Sequence, residues 1–327
     1  MGANKKINIG VIGIGYLGSY HVAQYQQLKN INFVGCHDID KKKLDDIRKK
    51  NSVKTFDKLD ELLTLCDAVS IVTPTLTHFK IGEQAILSDC HILIEKPITQ
   101  NIKEADILLT LATKNNKIIQ VGHIERFNPA FYTLKTKNID PLFVESHRIA
   151  PFNIRGIDVD VILDLMIHDI DILLALVQSP VKDIRGSGVS VLSETFDTVN
   201  ARIEFENDCI ANLTASRIAQ KKIRKFRFFE KNSYTTVDFL NPSIERYVLD
   251  NKKPSNKNSL LVMNHKDKYI TYDKVTIKPH NALKKELSHF VQCVEESINP
   301  IVDGYSGYNA LKLAIEIQNY IKNNSKK

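Results

Sequence analysis

Residues 7–18 read INIGVIGIGYLG. Ile7, Ile9, Val11 and Ile12 form a short β-branched apolar run of the kind that makes a buried parallel strand. It runs straight into Gly13, Ile14, Gly15, Tyr16, Leu17 and Gly18, a G-x-G-x-x-G pattern, and an apolar-periodic segment through Tyr20, Val22, Ala23 and Tyr25 follows as a helix. Strand, glycine turn and helix in that order are the context a dinucleotide fingerprint requires. Gly13 permits the tight turn, Gly15 lets the backbone approach a pyrophosphate, and Gly18 lets helix and strand pack closely. Free N–H groups at the helix start then face the anion. A second strand, 31–36, leads to Asp38 and Ile39, and the acid stands 20 residues past Gly18. A carboxylate there accepts hydrogen bonds from the adenosine ribose and repels a 2′-phosphate, so the expected cofactor is NAD rather than NADP. Lys41, Lys42 and Lys43 complicate this, because a lysine could pair with that phosphate. A βαβ unit without cofactor is the plain alternative.

Further along, strands and helices alternate. Residues 40–50, 56–65 (capped by Asp57), 77–88 and 102–115 read as helices, and 67–72, 91–94 and 117–121 as strands. Such alternation predicts a doubly wound parallel sheet, whose ligands sit beyond the carboxyl ends of the strands. Asp38, Thr73-Pro74-Thr75, Glu95-Lys96-Pro97 and Gly122-His123 all fall at strand ends and are expected to share one crevice. After residue 123 the texture changes. One helix, 161–177, precedes β-rich runs at 181–192, 199–205, 209–218, 224–229 and 234–239, and two helices, 282–297 and 308–323, close the chain. Consecutive strands without helices predict an antiparallel sheet; the polar stretch 251–258 reads as a loop. The expected organisation is an α/β chain: a dinucleotide-binding domain over 1–122, and over 123–327 an α+β domain with a large, mostly antiparallel open sheet for substrate binding and oligomerisation. The last helix is free to pack back on the first domain.

Hydrophobic residues at 43% and charged residues at 25% are those of a soluble globular protein. No apolar run reaches membrane-spanning length. MGANKKI enters the first strand at once and leaves no room for a signal peptide. The five cysteines are scattered, with no C-x-x-C, which argues for reduced thiols in the cytoplasm. Cys36-His37 and Cys90-His91 are neighbours that point to opposite faces of a strand, so no metal site is expected. The net charge of +7 is scattered over lysines rather than gathered in a basic stripe with interleaved aromatics, which argues against nucleic acid and leaves a field that attracts an anionic substrate.

Residues 161–174, VILDLMIHDIDILL, are nearly all apolar, yet Asp164, His168 and Asp171 fall at i, i+4 and i+7 on one helix face. His168 is open to two readings: a core histidine satisfied by Asp164, or a proton acceptor in alcohol oxidation. Lys96, before Pro97, is likewise either a turn lysine or a cation that stabilises a developing alkoxide beside the nicotinamide.

In combination these residues resemble the family of glucose–fructose oxidoreductase and inositol dehydrogenase-like enzymes. The likeness rests on GIGYLG at 13–18, VTPTLTH at 72–78, EKP at 95–97 and the D-x-x-x-H of Asp164 and His168, and it spans essentially the whole chain. It implies a Rossmann domain. It also implies that Lys96 contacts substrate and nicotinamide, that Asp164 and His168 hold the reacting hydroxyl with His168 as base, and that Thr73, Pro74, Thr75, His78, Glu95 and Arg126 help line the cofactor. A narrower likeness is carried by GHIERFNPA at 122–130 and HRIAPFNIRGIDVDVILDLMIHDIDILL at 147–174. These resemble bacterial dehydrogenases that oxidise UDP-N-acetylglucosamine at C3, before an aminotransferase makes a 2,3-diamino sugar for lipid A. The wider family's glycine-rich lead into the D-x-x-x-H helix is replaced here by Asp158-Val159-Asp160-Val161, which favours the narrower group.

The expected activity is NAD-dependent oxidation of a nucleotide sugar at a secondary hydroxyl. His123, Arg126, Asn128, Arg148 and Arg155 join Lys96, Asp164 and His168 as substrate-site candidates, the three arginines as a diphosphate clamp. A dehydrogenase of a free sugar or cyclitol and a non-catalytic NAD-binding sensor are the rivals. The sensor is expected to lack Lys96, Asp164 or His168, and all three are present. The resemblance, and strands with two apolar faces to cover, imply a homo-oligomer.

Overall fold

The computed structural model describes residues 6–134, 139–153, 159–252, 260–265 and 268–324. Two compact units divide the chain: residues up to Phe127 with Asn281–Leu311, and Asn128–His280 with the residues from Lys312 onward.

The first unit is built on six parallel strands. They are β1 (Ile7–Ile12), β2 (Ile31–His37), β3 (Thr55–Phe56), β4 (Ala68–Ile71), β5 (His91–Glu95) and β6 (Ile119–Gly122), in the order β3-β2-β1-β4-β5-β6. Helices α1 (Tyr16–Tyr25), α2 (Lys41–Asn51), α3 (Leu59–Leu63), α4 (His78–Leu87) and α5 (Ile102–Lys114) make the crossovers. The order reverses between β1 and β4, and that switch point opens the crevice expected of a doubly wound sheet. Ile9, Val11, Ala68 and Leu93 are fully buried because both faces are covered. Asp40 caps α2 by accepting from the Lys42 and Lys43 N–H groups. The single helix expected over 56–65 is instead the two-residue β3, with Phe56 paired to His37, and a short α3. Asp57 is not its cap; Lys58 holds that place without a side-chain bond.

The second unit begins with α6 (Pro129–Leu134) and β7 (Phe143–Ile149). A π-helical turn, Ile162–Met166, then runs into α7 (Ile167–Leu176). The regular α-helix expected from residue 161 is thus a π-turn at its start, a feature found often at functional sites. β8 (Val181–Val189), β9 (Thr198–Phe205), β10 (Ile210–Ser216), β11 (Ile223–Glu230), β12 (Ser233–Asp238), β13 (Ser243–Asp250), β14 (Leu260–His265) and β15 (Lys268–Val275) complete one nine-stranded sheet, ordered β14-β15-β13-β12-β11-β7-β10-β9-β8. Only β7 and β10 run parallel. Along β7, β9 and β10 alternate side chains are buried, among them Val144, Ala201, Ile203, Ala211 and Leu213, so one face of the sheet forms a core.

Two helices close the chain, α8 (Ala282–Glu296) and α9 (Gly304–Asn324). Leu283, Leu287, Phe290 and Val291 of α8 join the core of the first unit with Val22, Tyr25 and Ile31. The boundary between the units falls within α9, after Leu311.

Candidate active site

The glycine turn after β1 is shaped by contacts no side chain would allow. Gly13 has φ +88°, and a Cβ there would stand 2.6 Å from the Val72 carbonyl oxygen; one at Gly18 would stand 2.0 Å from the Gly13 carbonyl oxygen. Both positions therefore require glycine. Gly15 differs: nothing lies within 4 Å of where its Cβ would be. Gly15 begins α1 with no side-chain cap, so the first N–H groups of that helix are not bound by a cap side chain, as a pyrophosphate site needs.

A cleft of about 620 Å³ opens there, lined by Ile12, Gly13, Gly15, Tyr16, Leu17, His37, Asp38, Ile39, Lys43, Leu59, Val72, Thr73, Pro74, Thr77 and Ile81. Asp38 is its fixed acid. Its Oδ2 accepts the Ile14 N–H at 2.6 Å and its Oδ1 the Asp40 N–H at 2.9 Å. Lys43 Nζ stands 3.9 Å from Asp38 Oδ2. Ile39 is 95% exposed and Tyr16 73%, large apolar groups at the rim that a flat aromatic base would cover. An open glycine, an uncapped helix start, a held carboxylate and apolar walls in one cleft fit a dinucleotide. Gly13, Gly15, Tyr16, Leu17 and Asp38 would hold it, with Ile39, Thr73 and Pro74 along its sides.

Beside this cleft the ends of β4, β5 and β6 carry Thr75, His78, Glu95, Lys96, His123 and Arg126. The Lys96–Pro97 peptide is cis. His78 is buried, with Nδ1 2.9 Å from the Pro97 carbonyl oxygen and Nε2 2.9 Å from that of Thr73. Burial holds its imidazole below the ordinary histidine range, against the pull of the Pro97 and Thr73 carbonyls. Both ring nitrogens are engaged with backbone, so it ties the segments of Thr73 and Pro97 together. Glu95 lies over Gly122, where a Cβ would come within 2.8 Å of its carboxyl atoms. His123 is buried and Arg126 half-buried, on the turn Ile124–Phe127.

In the second unit, Asp164 and His168 are half-buried while Ile162, Met166, Ile167, Asp169 and Ile170 around them are buried. His168 Nδ1 is shielded from solvent, although the residue as a whole is half-buried. This surface position argues against a purely core histidine. Asp171, by contrast, is buried.

The comparisons match this architecture. Residues 7–123 match the GFO/IDH/MocA oxidoreductase family, NAD-binding Rossmann fold, and residues 152–231 match the GFO/IDH/MocA C-terminal domain. The chain belongs to the Gfo/Idh/MocA family. A UDP-N-acetylglucosamine 3-dehydrogenase from Acidithiobacillus ferrooxidans is 33% identical over 310 residues, 94% of this chain and 95% of that relative. A solved structure of that enzyme from the same organism is similar with TM-score 0.88 at 32% identity, over 97% of this chain and 98% of that one. The scyllo-inositol 2-dehydrogenase (NAD(+)) of Bacillus subtilis is 25% identical, over 97% of this chain and 95% of that relative. This member of the family is therefore an NAD-binding dehydrogenase of the type that acts on CH–OH groups.

Two expected substrate residues of this Gfo/Idh/MocA chain have structural work instead. Asn128 is buried; its side-chain amide donates to the Phe239 carbonyl oxygen at 3.1 Å, and its oxygen accepts the Ala130 N–H at 3.0 Å at the start of α6. Arg148 is 2% exposed and donates through Nε at 3.0 Å and Nη2 at 2.7 Å to Asp169 Oδ1. A guanidinium spent on a buried carboxylate is not available to clamp a diphosphate. Arg155 lies outside the described residues. Leu59, Thr77 and Ile81 of the cofactor cleft were not anticipated, whereas Lys43 is one of the three lysines expected near a 2′-phosphate. Thr77 sits inside the VTPTLTH motif and its Oγ1 donates to Thr73 Oγ1 at 2.8 Å, so the motif itself carried that signal. Among the described residues no group of three or more His, Cys, Asp or Glu is placed to hold a metal ion, and no helix is long and apolar enough to cross a membrane.

Proposed function

We propose that this protein oxidises UDP-N-acetylglucosamine at C3 to the 3-keto sugar. The observation that carries the substrate is the near-full-length likeness to a UDP-N-acetylglucosamine 3-dehydrogenase, 33% identical over 94% of the chain. NAD, when bound, accepts the hydride from the carbon that bears the hydroxyl. His168 takes the hydroxyl proton, and its half-buried place beside the half-buried Asp164 supports that role. Asp164, one turn earlier, orients His168 or the sugar. Lys96 stabilises the alkoxide as it develops. Thr73, Pro74, Thr75 and Glu95 line the nicotinamide half of the cofactor. His123 and Arg126 join the substrate site, and Arg126, half-buried rather than buried, is suited to contact the diphosphate.

The 3-keto product is an acceptor for transamination, so an aminotransferase is the expected next enzyme. The five cysteines are free and buried, which supports a reducing, cytoplasmic setting. A ladder of half-buried rings on the open face of the second sheet supports a homo-oligomer.

The test is a panel of UDP-sugars, free sugars and cyclitols offered with NAD, with reduced cofactor followed by absorbance. Turnover of UDP-N-acetylglucosamine, to a product that an aminotransferase aminates at C3, is expected. Turnover of free sugars or cyclitols without turnover of UDP-sugars would overturn the assignment.

A further inference from the structure

His21 lies on α1, three residues past the last glycine of the fingerprint, and is fully buried. Four residues on, Tyr25 occupies the same helix face and has a partner: its hydroxyl is 2.7 Å from Ser70 Oγ. Neither ring nitrogen of His21 makes a hydrogen bond of good geometry. Its Nε2 stands 3.3 Å from Glu95 Oε1. A buried imidazole is costly unless it has a polar partner, and an apolar residue would fill this place with less penalty. The Glu95 carboxylate is therefore the group that explains a histidine here.

Glu95 is confined on its other sides. Its carboxyl atoms rest over Gly122, where any Cβ would collide with them. Its Oε2 accepts only a long contact, 3.4 Å, from the Lys96 N–H. Lys96 is the next residue along the chain.

We propose that His21 is a positioning residue. Through the 3.3 Å approach of its Nε2 to Glu95 Oε1 it holds that carboxylate against Gly122, and it thereby fixes the end of β5 that presents Lys96 to the nicotinamide. The inference rests on the proposed roles of Glu95 and Lys96 at the cofactor.

The experiment uses the full-length protein and two readouts, NADH affinity by fluorescence titration and kcat with UDP-N-acetylglucosamine. The variants are His21→Gln, His21→Asn, Glu95→Gln and the double variant His21→Asn with Glu95→Gln. A glutamine amide reaches the place of Nε2, whereas an asparagine amide reaches only that of Nδ1. His21→Gln is expected to keep most of the wild-type values. His21→Asn is expected to lose about tenfold in NADH affinity or kcat, the scale of one hydrogen bond to a charged group. In the Glu95→Gln background the same His21→Asn change is expected to cost little more, because the interaction it removes is already weakened. Equal behaviour of His21→Gln and His21→Asn, or fully additive losses in the double variant, would overturn the inference. NADH binding needs no sugar, so this result stands apart from the choice of substrate. If Glu95→Gln alone leaves NADH affinity and kcat untouched, the cofactor role of Glu95 fails, and the positioning role of His21 with it.

Discussion

Asp38 is held by bonds to both its oxygens, an arrangement that would let one side chain set cofactor choice. The Ile14 and Asp40 N–H groups fix both its oxygens, so the carboxylate cannot swing away from an incoming 2′-phosphate. Lys43 softens this repulsion from 3.9 Å. Asp38→Asn keeps the shape and removes the charge, and it should narrow the preference for NAD over NADP by about tenfold or more. Titrations with both cofactors check this, and an unchanged ratio would count against the electrostatic account. In the proposed reaction Lys96→Met removes the alkoxide stabiliser and His168→Ala the base. Each should lower kcat by roughly 10²–10⁴, because general acid–base and alkoxide-stabilising groups act mainly in the transition state, and the NADH affinity of His168→Ala should stay near wild type. Wild-type activity should also fall on the acid side, since an imidazolium cannot accept the hydroxyl proton. Near-normal turnover of His168→Ala would leave the histidine a structural role only.

The start of the helix that carries Asp164 and His168 is anchored by a buried polar network in the second unit. Arg217 donates through Nε at 2.8 Å to Asp197 Oδ1, through Nη1 at 2.6 Å to the Val159 carbonyl oxygen, and through Nη2 to the Ser193 and Thr195 hydroxyls. Asp197 Oδ2 accepts the N–H groups of Val191, Leu192 and Ser193. Burial alone would raise the Asp197 carboxyl, but the N–H groups of Leu192 and Val191, the Arg217 guanidinium and the Ser193 hydroxyl outweigh it and hold the carboxyl below the usual range. A carboxyl depressed on folding contributes stability in full above about pH 5 and loses it as pH falls below about 4. Arg217→Met, which leaves Asp197 buried and unpaired, should cost about 3–5 kcal/mol at neutral pH, with a smaller gap from wild type in acid. Urea unfolding from pH 7 down to pH 3 would show this, and a constant gap would argue against it. Little of this network was legible in the sequence, because a polar residue carries no sign of the partner that will bury it; Asn128, Arg148 and His21 are the same case. The fingerprint turn was legible because only glycine fits at Gly13 and Gly18. Five residues of π-turn cannot be told from α-helix by apolar spacing. β7, β13 and β15 were missed because each carries charged residues on the open face, such as Glu145, Glu245 and Lys274, that break the apolar run.

That open face bears on the assembly of the whole molecule. Phe143, Phe229, Tyr234, Tyr247 and Tyr272 lie side by side across β7, β11, β12, β13 and β15, with successive ring centroids 5.7, 4.6, 5.8 and 5.1 Å apart. All five are half-buried, whereas Val144, Phe228, Thr235, Ile244 and Thr271 on the opposite face are buried. Between the rings stand opposite charges already matched within the chain, including Arg227 Nη2 at 2.6 Å from Glu145 Oε2. A surface of stacked rings with neutralised charges can lie against its own copy across a two-fold axis without stranding a charge, and isologous contacts of this kind close into dimers or tetramers. Aromatic anchors near the centre of such a patch carry most of its energy. Replacing two neighbouring rings by like charges, Tyr234→Lys with Tyr247→Lys, sets equal charges against each other both within the ladder and across the axis. Wild type should therefore sediment as a dimer or larger at micromolar concentration, and the double variant as a monomer that still binds NADH, because the cofactor cleft lies wholly in the first unit. A wild-type monomer, or a double variant that keeps the wild-type sedimentation coefficient, would move the interface off this face.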